Sequence, residues 1–124
     1  MRTLAVTIGD PAGIGPEIAI KALQAFSGRL LNGNLRILLV GDGPTLQGEA
    51  RKLNFPTPPV ISADQISNTP AAAILATPPL EHPVEIGKVS AQAGHQAYEA
   101  VRIAVEESLR GNVVARPCDL LALV

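Results

Sequence analysis

Residues 8–17 read IGDPAGIGPE, and these ten residues, Ile8–Glu17, decide how the chain folds. They contain three glycines and two prolines, and their first residue, Ile8, ends the apolar run Leu4–Ile8. That run predicts a strand, which Gly9 ends. Pro16 is typical of the first turn of a helix, because the amide hydrogen that proline lacks has no intrahelical partner there. The segment therefore predicts a tight connection between a first strand and a first helix.

The rest of the chain alternates between strand and helix patterns. Apolar runs predict further strands at residues 35–40, 60–62 and 71–76. The predicted helices run from Pro16 to about Gly28, from Pro44 to about Leu53, and from about Ser90 to Arg110. This order of strands and helices predicts an α/β fold with a mainly parallel sheet.

The long third helix carries apolar residues at helical spacing, which predict the face that packs on the sheet. They are Ala97, Tyr98, Val101, Ala104, Val105 and Leu109. Tyr98 is accordingly predicted to lie in the core. Glu106 and Glu107 are adjacent, so their side chains diverge on a helix and cannot form a facing acid–base pair. For both we predict solvated charge.

Composition narrows the class of protein. The chain has 124 residues, of which 47% are hydrophobic, 17% charged and 2% aromatic, with a net charge of -1. These values predict one folded domain and argue against nucleic-acid binding, which needs basic patches or stacking aromatics. The single Cys118 excludes an intrachain disulfide and a thiolate zinc cage and favours a reducing, cytoplasmic location. No apolar run approaches the length of a membrane span, so no membrane association is expected.

The glycine-rich segment permits two interpretations from its spacing. In an open α/β sheet, ligands bind beyond the carboxyl ends of the strands, where this segment is predicted to lie. However, the spacing of Gly9, Gly13 and Gly15 matches neither a dinucleotide-binding fingerprint nor a P-loop. A ligand-binding loop and a structural turn therefore both stay open. Gly41-Asp42-Gly43, behind the second strand, favours ordinary turn chemistry over ribose binding.

Neither histidine predicts a metal centre. His82 lies in a proline-bounded segment and His95 in the first turns of the long helix, so they do not form a ligand pair at helical spacing. A catalytic zinc needs three protein ligands. The residues themselves therefore assign no metal ligand and no catalytic side chain.

Two stretches carry a resemblance to a known family. TIGDPAGIGPEIAIKAL at residues 7–23 resembles the amino-terminal signature of the 4-hydroxythreonine-4-phosphate dehydrogenase family of pyridoxal phosphate biosynthesis. GKVSAQAGHQAYEAVRIAVEESLRGNV at residues 87–113 is similar to that family's long helix and its glycine approach. With LRILLVGD between them, the resemblance covers about residues 2–113. It implies an isocitrate/isopropylmalate dehydrogenase-like fold, incomplete in this chain.

The resemblance also implies a site and a reaction. It places the cofactor-binding turn, where substrate and NAD or NADP meet, at Gly9, Asp10, Pro11, Ala12, Gly13, Ile14 and Gly15. The family oxidises a secondary alcohol of a phosphorylated hydroxy acid, with a divalent metal stabilising the alkoxide and then the enolate as carbon dioxide leaves. Full-length members pair as homodimers. The expected substrate is 4-phosphohydroxy-L-threonine; dehydrogenases of 4-phosphothreonate or 4-phosphoerythronate are the related alternative.

The sequence departs from the family after Val113. It reads VARPCDLLALV and lacks the family's Thr-Ala/Gly-Pro segment, and Pro117 is not expected inside a central strand. The family's metal-ligand histidines lie beyond this point. We therefore expect residues 1–124 to be the amino-terminal portion of such a dehydrogenase, inactive alone. A non-catalytic remnant is one alternative. Another is a small phosphate-binding domain. Lys21 is the only lysine or arginine close to residues 9–17, and this scarcity of positive charge counts against tight phosphate binding.

Overall fold

The computed structural model describes residues 2–33, 35–68 and 70–117. Its strands are β1 (Arg2–Thr7), β2 (Leu35–Gly41), β3 (Val60–Ile61), β4 (Ala72–Ala76) and β5 (Val114–Pro117). Its α-helices are α1 (Gly15–Ala25), α2 (Ser27–Leu31), α3 (Gly43–Lys52) and α4 (Ala91–Leu109), and a 3₁₀ helix spans Ala63–Asn68. The predictions made for Cys118 fall outside the described residues.

The strands form one parallel sheet in the order β3-β4-β2-β1-β5. β1 pairs with β2 from Arg2↔Leu35 to Thr7↔Val40, and β2 pairs with β4 from Ile37↔Ala72 to Gly41↔Ala76. Every described ladder is parallel, so the carboxyl ends of the strands meet at one edge. The predicted fold class, α/β with a mainly parallel sheet, is confirmed.

Helices cover both faces of the sheet, as buried parallel strands require. On one face, α1, α2 and α3 pack through Ile20, Leu23, Leu30, Leu46 and Ala50 against strand residues that include Val6, Leu39 and Ile74. On the other face, Ala100 and Ala104 of α4 and Ile66 of the 3₁₀ helix meet Ala5, Leu38, Val40, Ala73 and Leu75. The odd and even residues of each strand thus supply two separate apolar layers.

The predicted core face of α4 is right at Ala104 but wrong at most of its other positions. The helix buries Ala93, Gln96, Ala100, Ala104 and Glu107. Tyr98, predicted as core, is 62% exposed, and Val101, Val105 and Leu109 are exposed as well. The alanines bring the helix close to the sheet, while the two polar side chains on this face have hydrogen-bond partners, which removes the cost of burying them.

Glu107 also departs from the prediction of solvated charge. Its side chain is buried and accepts hydrogen bonds from Arg110 Nη1 at 2.7 Å and Asn112 Nδ2 at 2.8 Å. The Asn112 amide donates to the Glu107 carbonyl at 3.0 Å, so this carboxylate organises the end of α4. Charge-assisted hydrogen bonds of this kind offset the free-energy cost of burying a carboxylate.

β5 forms although it ends in a proline. Among the described residues it lies at one edge of the sheet, beside β1, with Pro117 opposite Thr7. Proline is tolerated on edge strands, because one side of such a strand needs no ladder donor. The expectation that Pro117 would not lie inside a central strand is compatible with this position.

Candidate functional site

Three connections converge at the carboxyl edge of the sheet. They follow β1, β2 and β4, which are neighbours in the sheet. The first is the glycine-rich segment, the second leads directly into α3, and the third is the long proline-containing segment that precedes α4. This edge is where open α/β sheets bind ligands.

The glycine-rich segment contains a β-turn at Asp10–Gly13. The Gly13 amide donates to the Asp10 carbonyl at 3.0 Å, and the Ala12 amide donates to Asp10 Oδ1 at 2.7 Å. Aspartate first, proline second and glycine fourth is the residue pattern of a type I turn. Asp10 therefore has a structural role in shaping the loop.

Two glycines of this segment are required by the backbone. Gly9 has a φ of +71°, in the left-handed region that favours glycine. Gly15 begins α1 directly against the end of β1: a Cβ there would lie 1.8 Å from the Ile8 carbonyl oxygen. The unusual glycine spacing thus follows from one left-handed residue and one close backbone approach.

The seven predicted binding residues have different environments. Pro11 and Gly13 border a cleft, whereas Ala12 is buried. Ile14, which immediately precedes α1, is 70% exposed. Binding of a cofactor by Gly9–Gly15 stays a prediction, with Pro11 and Gly13 as the residues positioned to touch a molecule in the cleft.

The cleft beside the turn has a volume of about 230 Å³. One wall consists of residues from the turn and the start of α1, namely Pro11, Gly13 and Pro16. The rest of the lining comes from α3 and from the segment between β4 and α4, and consists of Pro44, Thr45, Gly48, Glu49, Lys52, Val84 and Ile86. Lys52 Nζ lies 3.6 Å from Glu49 Oε1, so the cleft carries an ion pair at its α3 side.

A second cavity of about 460 Å³ adjoins the first. Both are bordered by Pro44, Thr45 and Val84. The other lining residues of the second cavity are Asp42, Pro79, Leu80, Glu81, His82 and Pro83. The two cavities therefore form one groove across the start of α3, and we call them the inner cleft (beside the turn) and the outer cleft (beside residues 79–83).

Asp42 is the N-cap of α3. Its Oδ2 accepts hydrogen bonds from the Thr45 amide at 3.1 Å and from Thr45 Oγ1 at 2.6 Å. Aspartate is among the preferred capping residues because it satisfies amides that the first helical turn leaves without partners. Asp42 therefore has a local structural role, as a helix cap rather than as the turn residue that the sequence pattern favoured, and it lines the outer cleft.

The segment after β4 is tied to its surroundings by contacts that sequence reasoning missed. The Gly87 amide donates to the Ala12 carbonyl at 2.7 Å, joining this segment to the glycine-rich turn. Gln92 and Gln96 of α4 bond to it near His82 and Thr77. The spacing of the two glutamines, four residues apart at the start of a helix, was the available signal, since it places them on one face.

The two histidines do not form a metal centre in the described parts of the chain. His82 borders the outer cleft, whereas the His95 ring stacks on Tyr98 with a centroid distance of 6.3 Å. Across residues 2–33, 35–68 and 70–117, no group of three or more His, Cys, Asp or Glu side chains could hold a metal ion. Within the same residues, no helix has the length and apolar character to cross a membrane.

Charge on the outer surface of α4 is organised around Arg102. It contacts Glu99 Oε2 at 2.6 Å and Glu106 Oε1 at 2.8 Å. The hydrogen bond from Arg102 holds the pKa of Glu99 below its usual range, and the bond to Glu99, followed by that to Glu106, raises the pKa of Arg102. This network lies on the helix rather than in the groove.

The fold and the groove define a class: a parallel α/β protein with a glycine-rich turn at the ligand-binding edge of its sheet. Comparison with known proteins finds similarity to two kinds of dehydrogenase. The chain is 39% identical over 119 residues to D-threonate 4-phosphate dehydrogenase of Salmonella typhimurium, covering 92% of this chain and 35% of that protein. It is 31% identical over 111 residues to 4-hydroxythreonine-4-phosphate dehydrogenase of Thermosynechococcus vestitus, covering 90% and 30%.

The fold is also similar to that of a solved structure. The crystal structure of 4-hydroxythreonine-4-phosphate dehydrogenase from Klebsiella pneumoniae matches 94% of this chain and 37% of its own, with a TM-score of 0.74 and 33% identity. No protein-family model matches the chain. The resemblance found in the sequence is confirmed, and the chain spans about a third of the length of the curated relatives it matches.

Proposed function

We propose that this chain is the amino-terminal part of a NAD- or NADP-dependent dehydrogenase that oxidises and decarboxylates a phosphorylated hydroxy acid. The observation that carries the proposal is the groove at the carboxyl edge of the sheet, bordered by the turn in which the resemblance is concentrated. In this proposal, Gly9–Gly15 is the part of the cofactor and substrate cleft that this chain contributes.

The shape of the turn supports that role. Gly13 is exposed and has no side chain, so a ligand can approach the backbone of the turn closely. α1 begins two residues later with its N-terminal end beside the inner cleft, since Pro16 lines it. The positive end of a helix dipole favours phosphate groups, which both the cofactor and the proposed substrate carry.

The substrate remains a choice between two related acids. 4-Phosphohydroxy-L-threonine is the first candidate from the sequence resemblance. 4-Phosphothreonate is the second, and the sequence identities lean toward it: D-threonate 4-phosphate dehydrogenases match this chain at 33–39% identity and 4-hydroxythreonine-4-phosphate dehydrogenases at 27–35%. Both acids would present a phosphate and an oxidisable hydroxyl to the same groove.

The divalent metal of the proposed reaction does not fit the described residues, because they contain no cluster of possible ligands. We therefore assign the metal ligands to the part of the relatives that this chain does not span. For the same reason we propose that the chain alone is inactive. The homodimer that the resemblance implies is proposed for the full-length protein. A non-catalytic remnant with the same turn is the competing hypothesis.

Cofactor binding is the direct test of the turn. We expect calorimetric titration of the 124-residue chain with NAD⁺ to show binding, and Gly13→Glu to weaken it by about tenfold or more, since the new carboxylate would repel the cofactor phosphates. A side chain fits at Gly13, whose added Cβ would lie 3.4 Å from the Asp10 carbonyl oxygen. Gly28→Glu, in open space on α2, is the control and should leave the affinity unchanged.

Equal NAD⁺ affinity of wild type and Gly13→Glu would contradict the assigned turn, and absence of binding by wild type would favour the non-catalytic hypothesis. Activity is tested separately, by following NADH formation with each candidate acid and zinc. We expect none from the chain alone. Turnover should be restored when it is mixed with the complementary carboxyl-terminal region of the Salmonella D-threonate 4-phosphate dehydrogenase. Turnover by the chain alone would refute the proposed dependence on the missing region.

A further inference from the structure

We propose that Gln92 and Gln96 are positioning residues of the groove: their side-chain amides hold residues 77–82 in place as the wall of the outer cleft. The proposal rests on the proposed function in one respect, namely that the groove binds the cofactor or substrate. The two glutamines lie outside the glycine-rich turn, within the stretch 87–113 that carries the resemblance, but the resemblance assigns neither of them a role.

Gln92 makes three hydrogen bonds to the backbone of this wall. Its Oε1 accepts from the Glu81 amide at 2.8 Å and from the His82 amide at 3.0 Å. Its Nε2 donates to the His82 carbonyl at 2.8 Å. The side-chain amide of Gln92 thus pairs with two backbone N–H groups and one backbone carbonyl, which are groups that a neighbouring strand would otherwise bind.

Gln96, one helical turn later, holds the beginning of the wall. Its Nε2 donates to the Pro78 carbonyl at 2.6 Å, and its Oε1 accepts from Thr77 Oγ1. Gln96 and Thr77 are both buried, so these bonds satisfy polar groups that would otherwise be costly inside the protein. The Thr77 amide in turn donates to the Gly41 carbonyl at 2.9 Å, which joins the wall to the end of β2.

The wall needs this support because its own backbone lacks regular structure. Residues 77–90 contain neither strand nor helix, and Pro78, Pro79 and Pro83 supply no amide donors. Leu80, Glu81 and His82 nevertheless line the outer cleft. Glutamine side chains on the rigid α4 therefore supply the hydrogen bonds that fix these residues relative to α3, across the groove.

Hydrogen exchange tests whether Gln92 holds the wall. We expect the Glu81 and His82 amides to be protected in the wild-type chain and to exchange about tenfold faster in Gln92→Leu, which removes the acceptor. Gln92→Glu keeps that acceptor and should restore part of the protection. Gln24→Leu is the control: Gln24 also bonds side chain to backbone, at Leu53, and neither of these two residues lines the groove. Gln96→Leu is a weaker test, because a variant of so buried a residue could fail to fold.

Ligand affinity supplies the second readout. If NAD⁺ binds the wild-type chain, Gln92→Leu should weaken its affinity by about tenfold while thermal stability stays close to wild type, and Gln92→Glu should recover part of the affinity. Unchanged exchange at Glu81 and His82 in Gln92→Leu would overturn the proposal, and so would faster exchange with unchanged affinity. If wild type binds no NAD⁺, the proposed function fails, and the exchange measurement alone decides whether Gln92 holds the wall.

Discussion

At the scale of single residues, the glycines of the first connection have separate physical reasons. Gly9 supplies a left-handed φ, while Gly15 allows the first turn of α1 to contact the backbone of Ile8. Gly41 allows a second close approach, since an added Cβ would lie 2.4 Å from side-chain atoms of Ile8. Ile8 is thus buried against two glycines at the point where β1, β2 and α1 meet.

The closest of these approaches predicts the most damaging substitution. Gly15→Ala would place Cβ 1.8 Å from the Ile8 carbonyl oxygen, which is backbone and cannot rotate away. We expect it to lower the free energy of unfolding by about 3 kcal/mol or more, measured by urea denaturation. Gly94→Ala, at an open position inside α4, is the control and should raise stability by about 0.5–1 kcal/mol. A small effect of Gly15→Ala would show that the turn adjusts freely.

At the scale of elements, α4 is apolar on two sides. Its inner side consists of alanines with Gln96 and Glu107, and its outer side carries Tyr98 and Leu109. The two faces share the same helical period, so periodicity does not distinguish them. The outer face is bordered by the Glu99, Arg102 and Glu106 network, which stabilises the helix through contacts three and four residues apart.

The network predicts a dependence on pH. Because the hydrogen bond from Arg102 lowers the pKa of Glu99, the ionised form is favoured in the folded chain. The stabilisation is present above the pKa of the unfolded chain and is lost as the pH falls through the lower folded value. We expect Arg102→Gln to raise the pKa of Glu99, as measured by NMR titration of its carboxyl carbon.

Arg51→Gln is the matched control. It removes the same positive charge as Arg102→Gln, but from α3, and should leave the pKa of Glu99 unchanged. An unaltered pKa of Glu99 in Arg102→Gln would show that the contact is not maintained in solution. Addition of salt should reduce the part of the shift that comes from Coulomb attraction.

At the scale of the whole molecule, the central strand β2 joins the two layers. Leu39 belongs to the layer beneath α1 and α3, and Leu38 to the layer beneath α4. Both are fully buried. The same strand therefore contributes to both apolar layers, and the groove lies where the connections after β1, β2 and β4 leave the same edge of the sheet.

A core truncation measures this packing. Leu39→Ala should lower the free energy of unfolding by about 2–5 kcal/mol, the range for a buried leucine that leaves a cavity. Leu109→Ala, at a residue that is 83% exposed on α4, should change stability by no more than about 0.5 kcal/mol. Urea denaturation of the two variants gives both values. A loss at Leu109 as large as that at Leu39 would show that the outer face of α4 is covered in the protein in solution.

The elements were largely predictable because their signals are local. Apolar runs ended by Gly9 and Gly41 indicate β1 and β2, and Pro16 and Pro44 mark the helices that follow. The packing face of α4 was not predictable, since Tyr98 and Ala100 both fit an apolar stripe. Only proximity to the sheet decides that the small alanine lies inside and the larger tyrosine outside.

The sequence by itself determined that the chain is an α/β protein with a glycine-rich connection at the ligand-binding edge, because strand and helix patterns and backbone exceptions are properties of neighbouring residues. The tertiary structure decided which parts of that edge form a groove. Gly13 and His82 line its two clefts, and Gln92 reaches the wall from α4, ten residues further along the chain. Such contacts depend on how the sheet brings separate segments together, and a local sequence pattern does not specify which segments come into contact.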